Sequence, residues 1–251
     1  MRLFSLLVQS LLLGWIVVPP DGVTVYLIGD STMADKLPEK RPETGWGEPF
    51  RQFFDKTVTV ENHARNGRST GSFLRENRWQ PIVEAMREGD YVFIQFGHND
   101  QSKEKGDRYT PPEQYVKNLE KFVAETRMKK ANPVLLTPIM RRRFNSEGVF
   151  YDVHGEYPDL VRRVAKEHKV PLIDLHRMSE KLITEYGVEK SKELFLWVKK
   201  GTNPNYPDGR EDNTHFTPKG AERWARLVAE EVVTQGLSLA SHIKIPEKSN
   251  F

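Results

Sequence analysis

Val23-Thr24-Val25-Tyr26-Leu27-Ile28 runs directly into Gly29-Asp30-Ser31-Thr32-Met33-Ala34. The first six residues are mostly apolar and rich in β-branched side chains, the composition of a strand buried in a sheet. Gly29 then permits a sharp turn, and Ser31 falls just past the carboxyl end of that strand. In open α/β sheets, ligands bind at this edge. A hydroxyl placed there either caps a turn or helix or acts as a nucleophile. Gly-Asp-Ser alone favours the cap, the commoner use of serine. The rest of the chain has to supply whatever a nucleophile lacks.

Outward from this stretch, short apolar runs alternate with amphipathic ones. Strands are expected at Val23–Ile28, Thr57–Glu61, Tyr91–Phe96, Pro133–Thr137 and Val170–Asp174. Helices are expected at Trp46–Phe54, Trp79–Arg87, Pro112–Lys130, Pro158–His168 and Thr217–Gln235. In Pro112–Lys130, Tyr115, Leu119, Phe122 and Val123 share one face. In the closing helix Trp224, Leu227, Val228, Glu231 and Val232 mark the buried side, one acid among them. Such alternation predicts an α/β protein, a three-layer α/β/α flavodoxin-like sandwich around a mainly five-stranded parallel sheet. Arg141–Gly155 is long and patternless for a connection, which marks a functional loop at the same edge. Glu189–Pro207 carries no pattern that assigns it.

Composition narrows the function classes. Thirty-eight basic and 35 acidic side chains give a net charge of +3, and no interleaved basic–aromatic patch points to nucleic acid. The absence of cysteine excludes disulfides, thiolate metal sites and a cysteine nucleophile. Arg2 followed by the apolar run Leu3–Val18 and then Pro19-Pro20-Asp21-Gly22 resembles an export leader without a clear cleavage triplet. Residues 1–20 are therefore expected to be a signal peptide or N-terminal anchor, 21–251 a single domain, and the protein secreted, periplasmic or at the cell envelope.

Three further sites can complete the chemistry of Ser31. Asp212 stands three residues before His215, just ahead of the last helix, close enough to hold the imidazole Nδ1 and leave Nε2 as a base. Alone, the commoner reading is that Asp212 and Thr217 only cap turns and that His215 is a surface residue. Gly67, after the second strand, would let a backbone N–H approach a substrate, and Asn99, after the third, offers a carboxamide donor. Each is commoner as a turn residue in isolation. Their placement is the argument: Ser31, Gly67 and Asn99 follow three successive strands, and a parallel sheet brings them to one edge. Ser31 can also open a helix whose N-terminal N–H helps to bind an oxyanion. Asp30 is expected to brace the nucleophile turn, Trp46 to sit in the core and His63 to be structural. His154 receives no role. Arg141-Arg142-Arg143 reads first as a solvated run, with contact to substrate carboxylates as the sharper alternative.

These motifs resemble the SGNH/GDSL hydrolases: Gly-Asp-Ser after the first strand, Gly after the second, Gly97-His98-Asn99-Asp100 after the third, and Asp212-x-x-His215 before the last helix. Gly29–Ala34, Gly45-Trp46-Gly47-Glu48, Asn66-Gly67-Arg68-Ser69 and His215-Phe216-Thr217-Pro218-x-Gly220 are similar to the rhamnogalacturonan acetylesterase branch. The resemblance implies a carbohydrate acetylesterase acting on acetylated pectin through an acetyl-enzyme on Ser31. His215 would be the base and Asp212 its orienter, with the Ser31 and Gly67 N–H groups and the Asn99 side chain as oxyanion donors. It implies neither metal nor organic cofactor. Arg68, His98 and Arg141 are the expected substrate contacts, and the expected partner is an acetylated polysaccharide or oligosaccharide, with no nucleic acid and no integral membrane partner. Acetyl-xylan, another acyl ester or a thioester is the alternative substrate. An inactive carbohydrate-binding relative would have lost a member of this set, and none is missing.

Overall fold

A computed structural model describes residues 22–246; the leader expected over 1–20 lies outside them. Five parallel strands form the central sheet: β1 (Val23–Gly29), β2 (Val58–Asn62), β3 (Tyr91–Gln95), β4 (Asn132–Leu136) and β5 (Leu172–Ile173). Their spatial order is β2-β1-β3-β4-β5. The chain leaves β1 towards β2 on one side and returns to β3 on the other. The crevice between the ends of β1 and β3 is thus a topological switch point, where ligands of such sheets bind.

Both faces of the sheet are covered because the strand sequences alternate between two cores. Val25 and Leu27 of β1, Tyr91 and Phe93 of β3, and Val134 and Leu136 of β4 enter one core. There they meet α1 (Gly47–Phe50), α6 (Leu175–Lys190) and α7 (Pro218–Thr234) through Phe50, Ile183, Trp224 and Val228. Tyr26 and Ile28, Val92 and Ile94, and Leu135 enter the other. They meet α2 (Thr70–Arg75), α3 (Gln80–Ala85), α4 (Pro112–Met128) and α5 (Tyr157–Glu167) through Phe73, Ile82, Phe122 and Val161. Each fully buried aromatic or aliphatic side chain contributes roughly 1.5–3 kcal/mol. The expected three-layer architecture is the observed one. Among the described residues no helix is long and apolar enough to cross a membrane.

Several local expectations are corrected. The helix expected over Trp46–Phe54 is only α1 followed by a 3-10 turn, Arg51–Phe53. Helix α2 escapes the periodicity because it is a single short segment, started by a capping box in which Ser69 and Ser72 exchange hydrogen bonds. The turn at Ser31 does not open a helix: Met33 and Ala34 N–H both return to the Asp30 carbonyl, and the chain then runs on extended to a 3-10 turn at Pro38–Lys40. Glu189–Pro207 resolves into the end of α6, a 3-10 turn and β6 (Phe195–Val198). Strand β6 pairs antiparallel with β7 (Arg210–Phe216), so Asp212 and His215 lie on a strand rather than in a loop.

Candidate active site

The nucleophile turn is built from below. Asp30 is fully buried, and its Oδ1 accepts from the Thr32 N–H at 2.9 Å and the Thr32 hydroxyl at 2.8 Å. Gln95, at the end of β3, accepts from the Trp46 indole at 2.6 Å and donates to the Thr32 hydroxyl at 3.4 Å. Asp30 therefore braces the turn as expected, and Trp46 belongs to the core. Burial alone would raise the Asp30 carboxyl, but the neighbouring His98 imidazole and the two Thr32 bonds outweigh it and hold it below the usual carboxylate range. Ser31 rides on this rigid turn, half-exposed at the sheet edge. Its N–H has no acceptor among the described residues.

The second strand delivers the next donor. Gly67 has φ +76°, a conformation that favours glycine, and a Cβ there would meet the Arg108 guanidinium at 3.0 Å. The Gly67 N–H also has no acceptor among the described residues. From the third strand, Asn99 is oriented at both ends. Its Nδ2 donates to the Arg68 carbonyl at 2.9 Å and its Oδ1 accepts from Lys105 at 3.0 Å. One of its two amide hydrogens remains for a substrate.

Asp100, next to Asn99, ties this loop to α2. Its Oδ1 accepts from the Thr70 N–H at 2.8 Å and the Thr70 hydroxyl at 2.6 Å. Complete burial pushes its carboxyl up to about 7. A carboxyl whose folded value exceeds the unfolded one costs stability progressively as pH rises from the unfolded to the folded value, because only the unfolded state ionises there, and the loss levels off above the folded value. Asp100→Asn keeps the neutral acceptor at every pH. Relative to the variant, the wild type is expected to lose about 1 kcal/mol, or roughly 2–4 °C of melting temperature, per pH unit between about pH 4 and 7, and to run parallel to it above that. Melting curves between about pH 4.5 and 8 check this; curves parallel over the whole range would refute it.

Strand β7 carries the remaining pair. Its polar sequence hides it from any alternation rule, and it is held by Phe195 and Phe216, which pack together with Trp224. Between the pairs Phe195↔Phe216 and Trp197↔Glu211, β6 advances two positions and β7 five. Residues 212–215 therefore bulge out of the ribbon, a device that re-aims side chains. Asp212 serves as both turn cap and orienter. Its Oδ1 accepts from the Thr214 and His215 N–H groups at 2.8 and 3.0 Å, while its Oδ2 faces His215 Nδ1 at 2.9 Å. His215 Nε2 then lies 2.9 Å from the Ser31 hydroxyl. Burial would raise the Asp212 carboxyl, but its bonds and charge interaction with His215 win and keep it ionised well below the usual range. Thr217 caps α7 by accepting from Gly220, with Pro218 at the first helical position.

The structure brings together Ser31, Gly67, Asn99, Asp212 and His215. It does not do so for every expected substrate contact. His98 is buried, with Nδ1 3.2 Å from Asp30 and Nε2 2.9 Å from the Ile139 carbonyl. Both nitrogens are occupied, so His98 supports the nucleophile turn and does not reach a substrate. Arg68 is engaged by Glu76 and the Asn66 carbonyl, and Arg141 donates to the His98 carbonyl. The arginine run is not a solvated face. Arg142 is buried, donates to Ser191, Asn213 and the Val188 carbonyl, and stacks on Phe144 and Trp197. Its own N–H reaches the Asn213 carbonyl at 2.9 Å, so the loop after β4 pins the catalytic bulge. His63, partly exposed, pairs with Glu61.

Two groups of residues escaped the sequence reading. His154 is buried against His98 and bonds Asp152, which also faces His176. These residues are metal-ligand types; Asp152 Oδ1 lies 2.7 Å from His154 Nδ1 and its Oδ2 3.1 Å from His176 Nε2. Only the Asp152–His154 contact is a hydrogen bond; His176 Nε2 has no hydrogen-bond partner among the described residues, and the three ligand-type atoms lie within 4.8 Å of one another. Lys36 and Glu43 form a buried pair beside Ser31 and His215. Single charged residues in an aperiodic stretch gave no signal for it.

Residues 27–223 match the model of the GDSL-like lipase/acylhydrolase family. Rhamnogalacturonan acetylesterase RhgT of Bacillus subtilis is 46% identical over 221 residues, 88% of this chain and 94% of that protein. The crystal structure of protein YxiM from Bacillus subtilis superposes with a TM-score of 0.73 at 28% identity, over 86% of this chain and 58% of that one. The acetylxylan esterase Axe2 from Geobacillus stearothermophilus superposes with a TM-score of 0.61 at 17% identity, over 84% of this chain and 94% of that one, a likeness of fold alone.

Proposed function

The chain belongs to the GDSL-like lipase/acylhydrolase family, and from that premise we propose that it is a serine esterase that removes O-acetyl groups from plant cell-wall polysaccharide, acetylated rhamnogalacturonan foremost. The observation that carries the mechanism is the continuous relay from Asp212 Oδ2 through His215 to Ser31 Oγ, with 2.9 Å at each link. The substrate rests on the likeness to RhgT over nearly its full length.

The reaction follows from these positions. Ser31 Oγ attacks the acetyl carbonyl as His215 Nε2 takes its proton. The Ser31 and Gly67 N–H groups and the free Asn99 amide hydrogen receive the oxyanion. Collapse breaks the bond between the sugar oxygen and the acetyl carbon, His215 gives its proton to that departing oxygen, and the acetyl group stays esterified to Ser31 Oγ. Water then attacks the acetyl-enzyme by the same route and releases acetate. Asp212 holds the imidazole in the tautomer that leaves Nε2 free and stabilises the imidazolium. Export fits a polysaccharide substrate and rests on Arg2 and the apolar run after it.

Asp212→Ala is expected to lower kcat by roughly 10²–10⁴-fold, less than loss of Ser31 or His215, because the base survives without its orienter. It also strips acceptors from the Thr214 and His215 N–H groups, so a melting-temperature drop of a few degrees accompanies it. Kinetics with p-nitrophenyl acetate alongside melting curves check both. The substrate is tested by acetate release from acetylated rhamnogalacturonan, homogalacturonan and xylan. Rhamnogalacturonan is expected to be fastest, and a preference for xylan would move the assignment to the alternative.

A further inference from the structure

Lys36 lies five residues beyond the nucleophile, and its ammonium group is completely buried. Three groups surround it. Nζ donates to the Ser31 carbonyl at 2.5 Å and to Asn66 Oδ1 at 2.7 Å, and pairs with Glu43 Oε1 at 2.8 Å. The first belongs to the turn that carries the Ser31 N–H, and the second to the residue directly before Gly67. The two backbone donors of the oxyanion site therefore sit on separate loops, tied through one cation. Burial opposes the charge on Lys36, and Glu43 offsets that cost.

Glu43 faces the other half of the site. Its Oε1 is 4.0 Å from His215 Nε2. The Thr44 N–H donates to the Phe216 carbonyl at 3.0 Å, which docks this segment onto the strand that bears His215. Glu48 braces it from below, accepting from the Lys36 and Gly45 N–H groups, both at 3.1 Å. A buried ion pair costly to build, lying between nucleophile, oxyanion loop and base, is more than a fold contact.

We propose that Lys36 is a positioning residue of the esterase: its ammonium sets the spacing of the Ser31 and Gly67 N–H donors, and it neutralises Glu43 so that this carboxylate does not trap His215 in its protonated form. The proposal rests on the catalytic reading of Ser31 and His215. The charged and titratable groups about His215 are Asp212, with Arg210 on it, Glu43, with Lys36 on it, and the more distant Tyr206 and Arg141. Of these, Lys36 is the one whose removal bares a charge facing Nε2.

The test measures kcat, KM and the pH profile of kcat/KM with p-nitrophenyl acetate for wild type, Lys36→Met, Lys36→Met/Glu43→Gln, Asn66→Ala and Ser31→Ala, with melting curves for each. Lys36→Met is expected to lower kcat about 10–10³-fold with KM within about threefold, since the lost alignment acts in the transition state. The acidic limb of its kcat/KM profile moves to higher pH by about half a unit to one unit, because the bared Glu43 charge favours imidazolium. Adding Glu43→Gln returns the limb to its wild-type position but leaves kcat low, because the tie between the loops is still missing. Asn66→Ala cuts only the far end of the tie and lowers kcat about 3–30-fold without moving the limb. Should Lys36→Met not fold, the double variant and Asn66→Ala carry the same test. Wild-type kcat in Lys36→Met, or in both of those two, overturns the proposal. An inactive Ser31→Ala beside that result leaves the esterase reading standing, whereas an active Ser31→Ala overturns both.

Discussion

Ser31→Ala is expected to abolish turnover, lowering kcat by roughly 10⁴–10⁶-fold on any acetyl ester. The hydroxyl stands 2.9 Å from His215 Nε2 and beside N–H groups with no other acceptor among the described residues. Among the described residues no second nucleophile is placed there, and Asp30 is locked under the turn by Thr32 and His98. The substitution removes one half-exposed oxygen and leaves those bonds intact, so the melting temperature should stay within about 2 °C. Acetate release and p-nitrophenyl acetate kinetics beside a melting curve separate the two effects. Activity within about tenfold of wild type would remove Ser31 as nucleophile.

His215→Ala should cost about as much, roughly 10⁴–10⁶-fold in kcat, because nucleophile and base act as one unit and the losses do not add. The double variant with Ser31→Ala is therefore expected to be no slower than either single one. Removing the ring leaves the Asp212 carboxylate with its Thr214, His215 backbone and Arg210 bonds, so the bulge persists. The vacated space lies between Ser31 and Asp212, where added imidazole can sit as a replacement base. A dose-dependent recovery of acetate release is the expected signature. Equal activity of His215→Ala and wild type would exclude His215 as the base.

The sheet and its helices were legible because long-range packing there agrees with local pattern. Val25 and Leu27 face one core and Tyr26 and Ile28 the other, so β1 reads as a doubly buried strand. Helix α7 declares itself through Thr217, Pro218 and the Trp224–Val228–Val232 stripe. Strand β7 was invisible because Arg210–His215 is polar and its alternation is broken by the bulge. The arginine run misled for a related reason. Charge alone predicts solvent, but Arg142 has Ser191, Asn213 and the Val188 carbonyl waiting inside, and a buried cation is stable when so supplied.

The sequence by itself determined the chemistry available at the carboxyl edge of the sheet. Gly29-Asp30-Ser31, Gly67, Asn99 and Asp212-x-x-His215 are residue types whose reactivity and backbone freedom are covalent properties, and strand order in a parallel sheet brings the first three together. Only the tertiary structure decided how they are aimed. The bulge in β7 turns Asp212 and His215 towards Ser31, Asn213 bonded to Arg142 holds that bulge, and Lys36 joins the two oxyanion loops. Tertiary structure also moved His98 from the substrate to the foundation of the nucleophile turn. The physical reason is that a hydrogen bond is specified by distance and direction between groups far apart in the chain. Local composition names the donor and the acceptor but does not pair them.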